Sequence, residues 1–235
     1  MLLQHHGISR PVTSYYDAVE RKKTPGLVAR MVAGESIALV TDAGTPGIAD
    51  PGYHLVRGAL AAGVSVVPVP GVSAVTALVS VAGIPAERFA FEGFLPSRGG
   101  QRAARLAALA SEPRAMVFYE AARRLDGFLA DAERALGDRD AVVGRELTKR
   151  FEEIVRGPLS EVRRRFVDGE AARGEVVVLI AGAADEERPA ASLDDDIRQA
   201  LAAGQRVSEL ATALAERTGR PRREIYRRAL ELSRG

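Results

Sequence analysis

The stretch that decides the fold runs from residue 38 to residue 52 and reads Ala38-Leu39-Val40-Thr41-Asp42-Ala43-Gly44-Thr45-Pro46-Gly47-Ile48-Ala49-Asp50-Pro51-Gly52. A β-type apolar run ends here in an acid and a loop rich in glycine and proline, and an apolar-periodic helix follows from Pro51. In an open α/β sheet, ligands bind just past the carboxyl ends of strands. Glycines let the backbone approach a ligand closely, and prolines hold the loop in one shape. The stretch therefore predicts a preformed small-molecule site, whose ligand the spacing alone does not name.

The composition is typical of a globular chain. Its 235 residues, 46% of them hydrophobic, suffice for one large or two modest domains. The lack of cysteine excludes disulfides and cysteine-based metal sites, and no apolar run approaches the length of a membrane span. The first residues do not read as a secretory signal, so we expect a cytoplasmic protein. Net charge is only +2, but most basic residues are arginines, which suits phosphate binding and equally fits an arginine-rich proteome from a high-GC genome.

The first part of the chain alternates strand-like and helix-like patterns. Residues 37–41 and 64–69 read as strands, and residues 51–62 and 72–82 read as helices. Alternating elements of this kind form parallel sheets covered by helices. We therefore expect an α/β domain over residues 1–84 with a mostly parallel sheet.

The second part of the chain has a looser pattern. Strand-like segments at residues 89–94, 116–120, 141–147 and 175–181 are separated by apolar-periodic helices. This order predicts a second α/β domain, of the α+β type, over residues 85–182.

The last part of the chain begins with a predicted linker at residues 183–192, where small residues and acids occur without periodicity. Residues 193–235 carry two apolar helical stripes separated by the turn Thr218-Gly219-Arg220-Pro221, which predicts a small helical domain of the helix-turn-helix type. Arg222 and Arg223 fall at the start of the second helix. A hairpin of this kind can bind nucleic acid or can be a small bundle with a solvated arginine face. The motif by itself favours the bundle.

Several separated motifs occur in a fixed order along the chain. They are Asp42-Ala43-Gly44-Thr45-Pro46-Gly47-Ile48-Ala49-Asp50-Pro51-Gly52-Tyr53, Val69-Pro70-Gly71-Val72-Ser73-Ala74, Glu92-Gly93-Phe94-Leu95-Pro96, Phe118-Tyr119-Glu120-Ala121 and Arg145-Glu146-Leu147-Thr148-Lys149. Any one of them alone is a weak signal, whereas the ordered set is specific. The set resembles the ribosomal RNA 2′-O-methyltransferase branch of the tetrapyrrole methylase superfamily, and the resemblance extends from about residue 2 to the C-terminus.

The resemblance implies a tetrapyrrole-methylase-like, two-domain α/β enzyme that uses S-adenosylmethionine and forms a homodimer. Its substrate would be the ribose 2′-hydroxyl of a cytidine in 16S rRNA, within the small ribosomal (30S) subunit. The reaction needs no metal, and the resemblance implies no membrane partner.

The resemblance also implies the residues that bind the cofactor. Gly44-Thr45-Pro46 is similar to the Gly-Asp-Pro cofactor loop of the superfamily, and Ser73 and Ala74 match its second cofactor turn. From the residues alone, Asp42 either bonds a ligand hydroxyl or holds the glycine loop, and Asp50 reads as the N-cap of the following helix. The implied cofactor-binding residues are Asp42, Ala43, Gly44, Thr45, Pro46, Ile48, Ser73, Ala74, Tyr119, Gly174 and Glu175.

The chain departs from the pattern of the family at three points. The opening strand of the family and its loop have no counterpart, so we expect an open sheet edge and one missing wall of the cofactor pocket. Tyr16-Asp17-Ala18-Val19 stands where the family has a His-acid-His-Asn run. Arg123-Arg124 stands where His-Arg is usual. The last two changes concern substrate positioning more than cofactor binding.

Candidate catalytic residues follow from the chemistry of methyl transfer. The displacement is in line and depends mainly on positioning. A ribose hydroxyl is a poor nucleophile, so a nearby base, or a cation that favours the alkoxide, would help. The candidates are Glu120, Glu146 and Lys149. Glu120 is nearly as well explained as a helix-capping acid, and Glu146 with Lys149 as an ordinary ion pair three residues apart.

Arginines supply the candidate RNA contacts, since they can neutralise phosphates. For any single arginine, however, a solvated surface position is the better interpretation. The candidate RNA-binding residues are Arg98, Arg102, Arg124, Arg222 and Arg223.

Two other functions remain open at this point. One is a small-molecule methylase of the same superfamily that acts on a corrin precursor, against which the arginine-rich tail and the Arg145–Lys149 motif argue. The other is a non-catalytic RNA-binding protein, if the missing opening strand abolishes cofactor binding. Calorimetry with S-adenosylmethionine discriminates the second alternative from the enzyme.

Overall fold

The structure is a computed structural model that describes residues 2–167, 174–183, 193–218 and 220–233. The chain divides into two compact units, Met1–Gly182 and Ala183–Gly235. The further division expected at residue 84 stays a prediction. The predicted linker at 183–192 lies outside the described residues except for Ala183.

The first unit contains seven α-helices, one 3₁₀ helix (Ala122–Arg124) and five strands among its described residues. The helices are α1 (Leu2–His5), α2 (Asp17–Val32), α3 (Tyr53–Ala61), α4 (Ala74–Val81), α5 (Gly99–Ala108), α6 (Leu125–Leu136) and α7 (Leu159–Val167), and the strands are β1 (Phe89–Phe94), β2 (Ala115–Ala121), β3 (Asp140–Arg145), β4 (Glu153–Pro158) and β5 (Glu175–Ile180).

The five strands form one mixed sheet in the order β1-β2-β5-β3-β4. The pair β1–β2 is parallel, while β2–β5, β5–β3 and β3–β4 are antiparallel. Phe118 of β2 and Val143 of β3 both lie opposite Val178 of β5. The architecture is therefore α/β, as the sequence predicts.

Both faces of this sheet are buried, because alternate residues of a strand point to opposite sides. On one face, Phe118 and Val178 pack with Phe128 of α6 and Val162 of α7. On the other face, the strands pack against α4, and its core consists of Val75, Leu78, Val117, Val142, Val177 and Leu179. The sheet is thus the middle layer between two layers of helices.

The strands expected at 37–41 and 64–69 are not strands in this structure. Among the described residues, the first strand begins at Phe89. The valines of the two segments are largely exposed, with 73% of Val40 and 89% of Val69 accessible to solvent. A β-type pattern becomes a strand only when a neighbouring strand supplies hydrogen bonds, and no described segment pairs with these two.

The remaining strand predictions agree with the structure, with one omission. The segments predicted at 89–94, 116–120, 141–147 and 175–181 correspond to β1, β2, β3 and β5. Strand β4 was not predicted, because its sequence, Glu153-Ile154-Val155-Arg156-Gly157-Pro158, mixes charges with glycine and proline. Such a composition is tolerated at the edge of a sheet, which is where β4 lies.

The second unit contains the helices α8 (Leu193–Ala202), α9 (Val207–Thr218) and α10 (Arg222–Leu232). The two predicted apolar stripes meet in one small core, in which Leu210, Leu214 and Ile225 are almost fully buried. Helices α10 and α8 are joined by hydrogen bonds from Arg228 to Asp194, with the Nε–Oδ1 distance at 2.7 Å.

Candidate active site

A cavity of about 420 Å³ lies in the first unit, where several distant segments of the chain converge. This volume falls within the range typical of small-molecule sites, roughly 300–1,000 Å³. The lining residues are Thr41, Asp42, Ala43, Gly44, Ile48, Ala49, Asp50, Ala74, Phe94, Tyr119, Glu120, Ala121, Gly144, Leu147, Gly174, Glu175, Val176 and Val177.

The loop over residues 41–50 forms one wall and is held by its own polar groups. The Thr41 hydroxyl donates to Asp50 Oδ2 at 2.8 Å and so closes the base of the loop. Gly44 has a φ of +74°, a conformation that favours glycine. A Cβ built on Gly44 meets no heavy atom within 4 Å, so the space in front of this residue is open to a ligand.

The helix that follows the loop is capped by a distant glutamate. Glu20 of α2 is buried, and its Oε1 accepts the Gly52 amide at 2.9 Å and the His54 amide at 3.0 Å. Asp50, expected as the cap, bonds Thr41 instead, and helix α3 begins only at Tyr53. The expectation for Asp50 was wrong. The preference for aspartate at N-cap positions considers only neighbouring residues, whereas the carboxylate that caps α3 comes from another helix.

Glu20 is a carboxylate that its surroundings keep ionised. Burial alone raises the pKa of Glu20, but the hydrogen bonds from the His54 and Gly52 amides outweigh burial, so the pKa is lowered. The Tyr15 hydroxyl also donates to Glu20 Oε1, at 3.3 Å. The start of α3, and with it the end of the 41–50 loop, is therefore anchored to α2.

Tyr119 provides an aromatic part of the opposite wall. Its ring packs against Phe91 and Phe94, with centroid distances of 5.1 and 5.5 Å. Burial raises the pKa of the Tyr119 phenol, and the charges of Asp50 and Glu175 raise it further, against the effect of a hydrogen bond with Ser73. The phenol therefore stays protonated and remains a hydrogen-bond donor.

Glu120 lines the cavity and is 1% exposed. Its Oε1 accepts the Ala121 amide at 2.8 Å and Arg124 Nε at 2.6 Å. Its Oε2 is buried and has no hydrogen-bond partner among the residues that the structure describes. An unpaired buried carboxylate oxygen is costly, and a donor that reached it would offset that cost. The interpretation of Glu120 as a capping acid agrees with the structure for Oε1, which accepts the amide of the next residue.

Lys149 lies between two carboxylates, and one of them, Glu175, lines the cavity. Its Nζ is 2.9 Å from Glu146 Oε1 and 3.0 Å from Glu175 Oε2. The bonds to Glu146 and Glu175 raise the pKa of Lys149, so its ammonium stays charged at neutral pH. The bond from Lys149, aided by the Glu175 amide, lowers the pKa of Glu146. The cluster therefore presents a fixed cation rather than a neutral amine that could act as a base.

Gly174 is required where the chain passes this cluster. Its φ is +105°, and a Cβ built there would lie 2.6 Å from Glu146 Oε1. Only glycine lets the backbone at this position lie so close to the Glu146 carboxylate without displacing it.

The structure brings most of the predicted site residues together. Of the catalytic candidates, Glu120 lines the cavity, whereas Glu146 and Lys149 adjoin it through Glu175. Among the cofactor candidates, Thr45, Pro46 and Ser73 lie outside the lining. Those that line it are Asp42, Ala43, Gly44, Ile48, Ala74, Tyr119, Gly174 and Glu175.

Sequence reasoning missed Phe94, Gly144 and Leu147, which also line the cavity. Phe94 and Leu147 stand inside quoted motifs, so their position next to predicted site residues was an available signal. Glu20 was missed as well, because no residue near it in the sequence indicates which helix it caps.

The arginine candidates divide into engaged and free side chains. Arg102 is 11% exposed and bonds Asp131 at 2.7 Å, so its side chain forms an internal ion pair, and its contact with RNA stays a prediction. Arg124 is held by Glu120 and serves the cavity wall. Arg98 and Arg223 are exposed and have no carboxylate partner in the described parts of the chain. Arg222, in the second unit, donates to Thr212 Oγ1 at 2.9 Å.

Two features are absent from the described residues. No group of three or more histidine, aspartate or glutamate side chains there could hold a metal ion. In the same residues, no helix has both the length and the apolar character needed to cross a membrane.

Comparison with known proteins identifies the class. The family model of the tetrapyrrole (corrin/porphyrin) methylases matches residues 5–163. The chain belongs to the tetrapyrrole methylase family. This family consists of methyltransferases that use S-adenosylmethionine, which confirms the enzyme class and the cofactor expected from the motifs.

Within the family, the similar proteins carry one name. Ribosomal RNA small subunit methyltransferase I from Xylella fastidiosa is 44% identical over 227 residues, which cover 96% of this chain and 83% of that protein. The Synechocystis protein of the same name is 42% identical, and the alignment covers 98% of this chain and 84% of that protein. The Mycobacterium tuberculosis protein is 43% identical, with coverages of 94% and 77%. The resemblance expected from the motifs is confirmed.

Solved structures support the fold alone. The methyltransferase CobJ has a TM-score of 0.52 and 23% identity, covering 75% of this chain and 76% of that chain. Diphthine synthase has a TM-score of 0.52 and 14% identity, covering 77% and 72%. At these identities the likeness concerns the fold and not the substrate.

The residues of the cavity fit S-adenosylmethionine. Glu120 lines the cavity with a carboxylate, a group that accepts hydrogen bonds from amino or hydroxyl groups, and its Oε2 has no partner among the described residues. The rings of Tyr119 and Phe94 offer an aromatic surface, which suits both a sulfonium cation and a planar base. The open space at Gly44 lets a ligand reach the backbone of the loop.

Proposed function

We propose that this chain methylates ribosomal RNA of the small subunit, at the ribose 2′-hydroxyl of a cytidine in 16S rRNA, with S-adenosylmethionine as the methyl donor. The observation that carries the proposal is the cavity in which the 41–50 loop faces Glu120, with its unpaired oxygen, and the Lys149 cluster that adjoins it through Glu175. The names of the similar proteins support the choice of RNA as substrate. The corrin-precursor alternative has only the likeness of fold behind it.

The cofactor, when bound, supplies a methyl group already activated on a sulfonium. The 41–50 loop would hold it through backbone groups around Gly44. Glu120 would accept one of its donors, while the hydrogen bond from Arg124 holds the glutamate in place. In this proposal Glu120 is a binding residue rather than the base, because its other oxygen is already committed to Arg124 and Ala121.

Lys149 and its two carboxylates would serve the ribose hydroxyl. Because Lys149 stays protonated, its ammonium favours the developing alkoxide electrostatically. The proton of the hydroxyl would pass to a carboxylate oxygen of Glu146 or Glu175, both of which form ion pairs with the lysine. The Lys149 ammonium thus stabilises the negative charge that develops on the ribose oxygen, and the carboxylate accepts the hydroxyl proton.

The proposal includes the parts that the resemblance implied beyond the cavity. Arg222 and Arg223 of the second unit and Arg98 of the first would contact phosphates. The active form would be a homodimer that acts in the cytoplasm, where small subunits assemble. Sedimentation of the purified chain tests the dimer directly.

The experiment that tests the function has two readouts. Calorimetry with S-adenosylmethionine measures binding, and transfer of a labelled methyl group measures activity on 30S particles that lack the modification, with 50S particles as the control substrate. We expect binding, with incorporation only in 30S particles and at a ribose. Lack of binding, or equal labelling of both particles, contradicts the proposal.

A variant pair tests the role of Lys149. Lys149→Met should retain cofactor binding within about threefold and reduce the rate of methyl transfer roughly 10- to 1,000-fold, as removal of one electrostatic group commonly does. Lys22→Met, an exposed lysine on α2, is the matched control and should leave the rate unchanged. An unchanged rate in Lys149→Met would remove the lysine from the mechanism.

A further inference from the structure

The turn between β3 and β4, residues 146–152, has an unusual backbone. Glu146 and Thr148 are not glycines, yet their φ values are +50° and +68°. Such conformations are costly and concentrate at functional sites. The Thr148 amide donates to Glu152 Oε2 at 2.6 Å, and the Lys149 amide donates to the Glu146 carbonyl at 2.9 Å. The turn is therefore held in one shape despite the strain.

This ordered turn presents an aromatic side chain to solvent. Phe151 is 68% exposed. The guanidinium carbon of Arg150 lies 5.5 Å from the centre of the Phe151 ring, within the distance of a cation–π contact. Leaving a phenylalanine uncovered forgoes the favourable burial that most such side chains obtain. The exposed pair is consistent with a surface that is covered when a partner binds.

The free charge of the turn is that of Arg150. Every carboxylate nearby is already engaged: Glu146 with Lys149, Glu152 with the Thr148 amide, and Glu153 with Arg145. Arg150 has no carboxylate partner in the parts of the chain that the structure describes. The turn therefore offers one aromatic face and one unneutralised cation side by side.

The turn adjoins the candidate active site. Leu147 lines the cavity, and Lys149 bonds Glu175, which lines it too. Phe151 follows Lys149 by two residues, so their Cα atoms are at most about 7 Å apart. A polymer that inserts one unit into the cavity would place a neighbouring unit near Phe151.

We propose that Phe151 and Arg150 form a platform on which an unpaired base of the RNA substrate stacks, next to the nucleotide that is methylated. This inference rests on the proposed function and names a contact for its substrate. Aromatic side chains with adjacent arginines bind single-stranded nucleic acid in this way, because every base has a π-face. A protein partner is the less suitable occupant, since Phe151 is the one large apolar side chain of the turn that is mostly exposed.

The test uses the full chain and a short single-stranded oligocytidylate labelled with fluorescein. Phe151→Ala should weaken its binding about 5- to 100-fold, the usual effect of losing one stacked base. Phe151→Trp should bind within about threefold of the parent chain. Arg150→Ala should weaken binding and lower the dependence on salt by about one phosphate contact. The same RNA with one 2-aminopurine should lose fluorescence on binding the parent chain but not Phe151→Ala.

A matched control separates stacking from a general loss of an exposed aromatic. Tyr53 is 61% exposed and also lies beside an arginine, with Arg57 NH1 3.4 Å from its hydroxyl, but it does not line the cavity. Tyr53→Ala should bind the RNA as the parent chain does. Binding of S-adenosylmethionine should be the same in all four variants.

The possible failures are distinguishable. If the parent chain methylates 30S particles but Phe151→Ala binds RNA and quenches 2-aminopurine equally well, the platform is wrong and the proposed function stands. If the parent chain does not methylate 30S particles, the proposed function fails first. If Phe151→Ala instead changes the sedimentation of the chain without changing RNA affinity, Phe151 belongs to a contact between copies, which also overturns the platform.

Discussion

Two buried glutamates of the first unit differ in one respect that separates fold from function. Glu20, beneath the 41–50 loop, has an Oε1 that accepts from two backbone amides and a tyrosine. Glu120, in the cavity wall, has one oxygen that accepts two hydrogen bonds and one that is buried without a partner in the described part of the chain. Since buried polar groups are normally paired, Glu20 Oε1 is satisfied within the protein, whereas Glu120 Oε2 would gain from a donor supplied by a ligand. Substitutions at the two positions should therefore affect different measurements.

The largest expected effect is at Glu20. Glu20→Ala leaves the Gly52 and His54 amides without an acceptor and should lower the free energy of unfolding by about 2–4 kcal/mol. Glu20→Gln keeps one acceptor and should cost about 1–2 kcal/mol. Urea unfolding measures both. A loss below about 0.5 kcal/mol in Glu20→Ala would mean that Glu20 does not hold the start of α3.

The next effect is at Glu120 and appears in binding. Glu120→Gln can keep an oxygen toward Arg124 but turns an amide donor toward the ligand, in place of an acceptor. We expect a roughly 10- to 100-fold weaker affinity for S-adenosylmethionine, the cost of one charged hydrogen bond, with a smaller change in unfolding than in Glu20→Gln. Equal unfolding losses with unchanged affinity would erase the distinction between the two glutamates.

A pair of glycines sharpens the contrast between the cavity and the rest of the unit. Gly44 and Gly63 have φ values of +74° and +73°, and neither has a heavy atom near a built Cβ. Valine at either position should cost about 1–3 kcal/mol of unfolding free energy through backbone strain. Only Gly44→Val should also weaken cofactor binding, because Gly44 lines the cavity. Calorimetry of the two variants decides the point, and equal affinities would contradict the role of the loop.

The smallest effect concerns pH and Glu20 alone. Its pKa is lowered in the folded chain, so its contribution to stability is present above about 4.5, the ordinary value for glutamate, and is lost as the pH falls through the folded pKa. The stability difference between the parent chain and Glu20→Gln should thus be complete at neutral pH and shrink in acid. Urea unfolding across this range measures it, and a difference that grows in acid would show the wrong sign.

The sequence allowed much of the fold to be predicted, but in an uneven way. Strands β1, β2, β3 and β5 follow from apolar runs that the sheet buries on both faces, and a buried strand has a local signature. The runs at 37–41 and 64–69 have the same signature but pair with no other segment that the structure describes. Periodicity indicates which side chains are apolar and favour burial, whereas a strand also needs a neighbouring strand to form hydrogen bonds with.

The candidate site shows the same limit. Motifs in the sequence pointed to Gly44, Tyr119 and Glu175, since each stands in a recognisable turn or strand end. They did not reveal that Lys149 forms an ion pair with Glu175, 26 residues away along the chain. They also left the partners of Arg102 open, and its ion pair with Asp131 became visible only in three dimensions.

By itself, the sequence determined the class of this protein, its family, the order of most elements and the loops that border the cavity, because these depend on local patterns and ordered motifs. Only the tertiary structure decided that Glu20 caps α3, that Glu120 keeps an unpaired oxygen and that Phe151 stands exposed beside the site. The physical reason is that hydrogen bonding and burial depend on groups from distant parts of the chain, whose distances the linear order does not contain.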